Sequence, residues 1–181
     1  MRIVGGAFKG RTLFEFKGQE IRPTSDMARE SLFNVIKDKI IGARFLDLYC
    51  GTGAVGIEAL SRGAIRVVFN DLSRESVKLT KKNLEKVDKE NLANKNSVSF
   101  QNLDALNFLK SISEKFDVVF IDAPYNSESA KAVITLAESV LTDNGIIVYE
   151  DEKFLDLDLE KLELYDKRKY GRAVFTFFRK K

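Results

Sequence analysis

The sequence predicts an α/β fold: a doubly wound, mostly parallel seven-stranded sheet closed by an antiparallel C-terminal hairpin. Three observations predict it. From residue 44, short apolar runs alternate with longer stretches of helical character, the pattern of a parallel sheet covered by helices on both faces. The stretch DLYCGTGAVGIEAL (47–60) follows the first run and opens a helix. After residue 160 the alternation stops, and KLELYDKRKYGRAVFTFF reads as two adjacent strands turning near Gly171.

In chain order, residues 2–17 alternate weakly, with Thr12, Phe14 and Phe16 against Leu13, Glu15 and Lys17. With Gly5, Gly6 and Gly10 they predict a glycine-rich β-hairpin, so residues 1–21 form an appendage on a single domain spanning 1–181. After Pro23, Thr24 or Ser25 can cap a helix whose apolar face is Ala28, Leu32, Val35 and Ile36. Strands are expected at 44–49, 65–71, 97–100, 116–122 and 145–150. The helices between them fall at about 54–62, 73–87, 104–113 and 127–141.

A chain of 181 residues fits one domain with a sizeable core. No apolar run is long enough to span a bilayer, and the first residues lack the apolar core of a signal peptide. A single cysteine, Cys50, excludes an internal disulfide and suits a reducing cytoplasm. The absence of histidine removes Ser-His-Asp and Cys-His catalysis and, with one cysteine, any ordinary zinc site. Chemistry must then come from carboxylates, hydroxyls, backbone groups or a bound cofactor. The net charge is only +3, but Arg2, Lys9, Arg11, Lys17, Arg22 and Arg29 load one end, and residues 167–181 load the other. Clustered cations suit a polyanionic partner, and equally suit solvated chain ends.

Gly51, Gly53 and Gly56 satisfy G-x-G-x-x-G, and Asp71 closes the next strand 20 residues past Gly51. Glycines let backbone approach a ligand closely, and the second acid can accept two ribose hydroxyls. Asp47 narrows the choice of nucleoside. A carboxylate before the glycines repels a pyrophosphate and attracts a cation, which favours S-adenosylmethionine over NAD. Here the sequence resembles the first motif of class I methyltransferases. By position, that resemblance implies that Tyr49, Cys50, Gly51, Thr52 and Gly53 wrap the methionine half. It places Asp71, with Leu72 beside it, at the ribose, and Asp104 with Ala105 at the adenine. Asp104 reads equally as a helix N-cap.

The run VVFIDAPYN (118–126) ends by bringing Asp122, Ala123, Pro124 and Tyr125 to one point. In doubly wound sheets that point lies at the carboxyl edge, beside the first strand. DAPY resembles the [D/N]-P-P-[Y/F] loop of methyltransferases that modify exocyclic base amines. Such an amine is a poor nucleophile, because its lone pair is delocalised into the ring. Acceptors at Asp122 and at the carbonyl of residue 123 help localise the lone pair, and Tyr125 offers a stacking face for a flipped base. Ala123 stands where the family has its first proline. The carbonyl survives that change, and Pro124 keeps residue 123 extended.

MRIVGGAFKGRTL, RPTSDMARESLFNVI, FLDLYCGTGAVGIEALSRGA, FIDAPY, GIIVYE and KYGRAVFTFF together resemble the bacterial 16S rRNA guanine-N2 methyltransferase family over nearly the whole chain. The resemblance implies a Rossmann-like class I methyltransferase acting in the cytoplasm on 16S rRNA, with no metal and no membrane. It implies RNA contacts from the N-terminal hairpin, at Arg2, Lys9 and Arg11, with Arg22 beyond it. The length leaves no room for a separate RNA-binding domain, so a small-subunit particle would itself present the base. Three alternatives stand: an amino-methyltransferase for another RNA or DNA base, a catalytically silent RNA-binding module, and a dehydrogenase. The intact Asp122 and Tyr125 oppose the second; Asp47 and the missing histidine oppose the third.

Overall fold

The computed structural model describes residues 1–16, 24–90, 97–123 and 127–181. From Arg44 onward strands and helices alternate: β1 (Arg44–Asp47), α2 (Ala54–Ser61), β2 (Arg66–Asn70), α3 (Arg74–Val87), β3 (Val98–Gln101), α4 (Ala105–Ser111), β4 (Phe116–Ile121), α5 (Ser127–Ala137) and β5 (Leu141–Asp151). One helix, α1 (Asp26–Val35), precedes them, and β6 (Leu162–Tyr170) and β7 (Ala173–Lys180) follow. The sheet order is β3-β2-β1-β4-β5-β7-β6. The first five strands are parallel, and β7 pairs antiparallel with β5 and β6. This is a doubly wound sheet of the kind the alternation predicts, with its reversal between β1 and β4.

Side chains alternate across the sheet, and two cores result. Phe45, Val67, Phe69, Val118, Phe120, Val148, Phe175 and Phe177 point to one face, where Ala28, Leu32 and Phe33 of α1 and Ile57 of α2 meet them. Leu46, Val68, Val119, Ile121, Ile147, Tyr149 and Phe178 point to the other, under Phe108 of α4 and Ile134 of α5. Strands buried on both faces read as continuous apolar runs, which is why they stand out in the sequence. No helix among the described residues is long and apolar enough to cross a membrane.

Helices α1, α3 and α4 start where short polar side chains cap them. Ser25 Oγ accepts the Ala28 N–H, Ser73 Oγ the Ser76 N–H, and Asp104 Oδ1 the Asn107 N–H. In α1 the buried face is Ala28, Arg29, Leu32 and Phe33, while Val35, expected inside, is 38% exposed. The inward stripe is rotated because Arg29 is fully buried, donating to the Thr24 and Arg2 carbonyls and to Asp26.

The N-terminal residues pair as a hairpin, with an antiparallel bridge at Arg2 and Thr12, but they are not an appendage. Ile3, Phe8 and Leu13 are buried in the same core as α1 and α2. The Ala7 N–H donates to the Ser61 carbonyl at 2.7 Å and the Val4 N–H to Glu58 Oε2 at 2.8 Å. Phe14 exchanges two hydrogen bonds with Asn83 of α3. Gly6 permits this seat: its φ is +72°, and a Cβ there would stand 1.8 Å from the Ser61 carbonyl oxygen. Residues 17–21 of the expected hairpin lie outside the described residues.

Candidate active site

Asp47 pairs with Phe120 across the β1–β4 reversal, so the loops leaving both strands emerge side by side. Leaving β1, the chain passes through Gly51 (φ +51°) and Gly53 (φ +78°) into α2. A Cβ at Gly51 would meet nothing within 4 Å, so space lies open above that backbone. Gly56 has the opposite role. A Cβ there would come within 2.3 Å of Phe69 and 3.0 Å of Asp47 Oδ2, so α2 packs directly on the strands.

Asp47 is 1% exposed and accepts the Gly56 N–H at 2.9 Å. Burial pushes its carboxyl up to about 7, against the Gly56 hydrogen bond and with help from the charges of Asp122 and Asp71. Asp71 is held at both oxygens, by the Gly51 N–H at 2.9 Å and the Ser73 N–H at 2.8 Å. An ionised carboxylate has about four acceptor positions, so capacity remains for a ligand's hydroxyls. Leu72, 67% exposed, stands next to it. Asp104 caps α4 while Ala105 is buried, and both sit past the end of β3, the strand next to β2. Cys50 and Thr52 are buried within the glycine loop, and Tyr49 is half-buried.

Four residues that the sequence reading missed hold this end together. Asn70 Nδ2 donates to the Leu48 and Leu103 carbonyls, tying the exits of β1 and β3 to that of β2. Asn102 Nδ2 donates to the carbonyls of Asp71 and Leu72, both at 2.8 Å. The Thr80 hydroxyl reaches the Gly51 carbonyl and Asn83 reaches that of Thr52, so α3 carries the glycine loop. Their one sequence signal is an asparagine at the end of an apolar run, as in VVFND.

Asp122 and Ala123 follow β4 and face a cleft of about 360 Å³. Its walls are residues 24 and 25 before α1, residues 150–152 at the end of β5, and residues 170–173 at the hairpin turn. Asp122 is open to the cleft, yet protein crowds its carboxyl on the other sides. That desolvation, with the nearby charge of Asp151, raises it to about 6. Pro124, Tyr125 and Arg22 lie outside the described residues.

The expected RNA residues are dispersed. Arg2 pairs with Asp26 at 3.5 Å, next to the Ser25 wall of the cleft. Arg11 lies at the far end of α3, donating to the Val87 carbonyl, facing Glu90 at 3.7 Å and stacking over Phe8. Lys9 is exposed.

The site is thus divided in two: an open backbone cradle with Asp71 at its rim, and beside it a carboxylate-lined cleft. YlbH of Bacillus subtilis (strain 168) is 33% identical over 188 residues, covering 100% of both chains. Ribosomal RNA small subunit methyltransferase D of Haemophilus influenzae is 34% identical, covering 84% of this chain and 79% of its own. The solved structure of yhhF from Escherichia coli superposes with a TM-score of 0.83 at 27% identity, over 100% of this chain and 98% of that one. A model of the family described as conserved hypothetical protein 95 matches residues 1–179. The chain belongs to that family.

Proposed function

We propose that the protein transfers a methyl group from S-adenosylmethionine to the exocyclic N2 amine of a guanine in 16S ribosomal RNA. That it is an S-adenosylmethionine-dependent rRNA methyltransferase is supported by the relatives named ribosomal RNA small subunit methyltransferase D. The finer reading is carried by one observation: Asp122 leaves β4 beside the glycine loop and opens on a cleft large enough for a purine.

The residues present fit the cofactor. The open space over Gly51 admits a ligand against backbone, Asp71 has acceptor capacity for ribose hydroxyls, and Asp47, raised to about 7, would be drawn to its ionised form by a cationic group beside it. Once bound, the cofactor supplies an electrophilic methyl group on a sulfonium. The chain supplies orientation and a proton acceptor. Asp122 accepts one N–H of the amine, the Ala123 carbonyl accepts the other, and the nitrogen lone pair is left facing the methyl. Because its carboxyl is raised to about 6, Asp122 is mostly ionised at neutral pH and still basic enough to take the proton that the methylated amine sheds.

The test offers labelled S-adenosylmethionine with naked rRNA, small-subunit particles and DNA, then maps the methylated nucleotide. A methyl on guanine N2 of small-subunit rRNA is expected. A methyl on a ring atom, or transfer to DNA alone, overturns the reading.

A further inference from the structure

Asp122 is not alone on its face of the sheet. In the β4–β5 pairing Ile121 stands opposite Tyr149, so the next residues, Asp122 and Glu150, leave level with each other on neighbouring strands. Phe120 and Val148 point into one core, and Ile121 and Tyr149 into the other. One residue on, Asp122 and Glu150 return to the first face and line the same cleft. Adjacent strands lie about 4.8 Å apart, so two carboxylates on long and short stems can meet neighbouring atoms of one base.

Glu150 is only 8% exposed. Its Oε2 accepts the Thr24 hydroxyl at 2.6 Å, and its Oε1 has no hydrogen-bond partner among the described residues. A guanine that presents its N2 amine to Asp122 carries a second donor beside it, N1–H. We propose that Glu150 selects guanine: its Oε1 accepts N1–H of the base whose N2 amine Asp122 holds. The proposal rests on the function given above and adds the residue that reads the base.

The contact requires Oε1 to carry no proton. Burial and the charge of Asp122 push the Glu150 carboxyl up to about 8, against the Thr24 hydrogen bond and the charge of Arg29. A hydroxyl can donate or accept, so Thr24 satisfies Oε2 whether or not it carries the proton. With Glu150 ionised, or with Thr24 turned to accept from a protonated Oε2, Oε1 remains an acceptor. A base with a lone pair at N1 instead of N1–H, such as adenine or 2-aminopurine, meets an acceptor with an acceptor.

2-Aminopurine keeps the N2 amine and loses N1–H together with O6, so the comparison of wild type with a Glu150 variant isolates this contact. Small-subunit particles would be reconstituted with rRNA carrying either guanine or 2-aminopurine at the mapped position. For the wild-type protein kcat/KM should fall about 10²-fold on 2-aminopurine, the upper scale for leaving buried acceptors without a donor. Glu150→Gln, whose amide can donate to N1, should narrow that ratio to within about 10-fold. Glu150→Ala should lose activity on guanine while still binding S-adenosylmethionine, which confirms folding. Equal ratios in wild type and Glu150→Gln, with guanine methylation intact, overturn this proposal alone. Absence of N2 methylation by the wild type overturns the function reading and this proposal together.

Discussion

Asp47 shows what one buried acid does to stability. Its carboxyl is raised in the fold to about 7, so between about pH 4 and 7 the folded state binds a proton that the unfolded state has released. Stability from this group is therefore full below the unfolded value and is lost as pH rises through 7. Asp47→Asn keeps an acceptor for the Gly56 N–H and removes the charge. Thermal melts of the cofactor-free protein should then depend less steeply on pH between 4 and 7, while calorimetry should show weaker S-adenosylmethionine binding. Asp122 gives the catalytic counterpart. Asp122→Ala should lower turnover on the order of 10²-fold or more, as for a lost positioning group, with cofactor binding kept. In the wild type kcat should rise with pH through about 6, because only the ionised carboxylate accepts the amine hydrogen. At this scale the acids were legible because each ends an apolar run. Asn70, Asn102, Thr80 and Asn83 were not. They bind backbone carbonyls 22 to 69 residues away in sequence, and no local spacing records such a contact.

The strands between β1 and β5 were legible as elements, since burial on both faces leaves each an uninterrupted apolar run. Their ends were less so. β5 begins at Leu141, four residues before the expected start, because Leu141 pairs with Phe116 across an irregularity in the register. The stripe of α1 was misread at Val35 because a buried arginine is invisible to a count of apolar positions. Helix α2 yields a sharper test. It lies directly on β1 and β2 through Gly56, where a Cβ would clash with the Phe69 ring. Gly56→Ala should destabilise the protein by about 1–3 kcal/mol despite alanine's better helix propensity, as overpacking does in a filled core. Urea unfolding would measure it; an unchanged or stabilised variant would mean that Phe69 can swing away.

Across the whole molecule, the doubly wound sheet followed from the strand–helix alternation, but the place of residues 1–16 did not. Weak alternation and glycines predict a hairpin and say nothing about what it rests on. Its docking also refines the RNA expectation. Arg11 braces the end of α3, so neutralising it disturbs the fold as well as any RNA contact. Neutralising Arg2 and Lys9 is the cleaner experiment. If both meet phosphates, binding to small-subunit particles should weaken and its salt slope should flatten by about 0.7–0.9 per lost contact. An unchanged slope would assign both to the solvated surface. The docked segment also orders events in time. Val4, Phe8 and Phe14 find their partners 53 to 69 residues further along the chain. During synthesis this hairpin must wait, with Ile3, Phe8 and Leu13 uncovered, until α2 and α3 have emerged. The hairpin is thus among the last segments to settle, and a nascent chain stalled before residue 83 would hold a glycine loop without the Asn83 side chain that binds it.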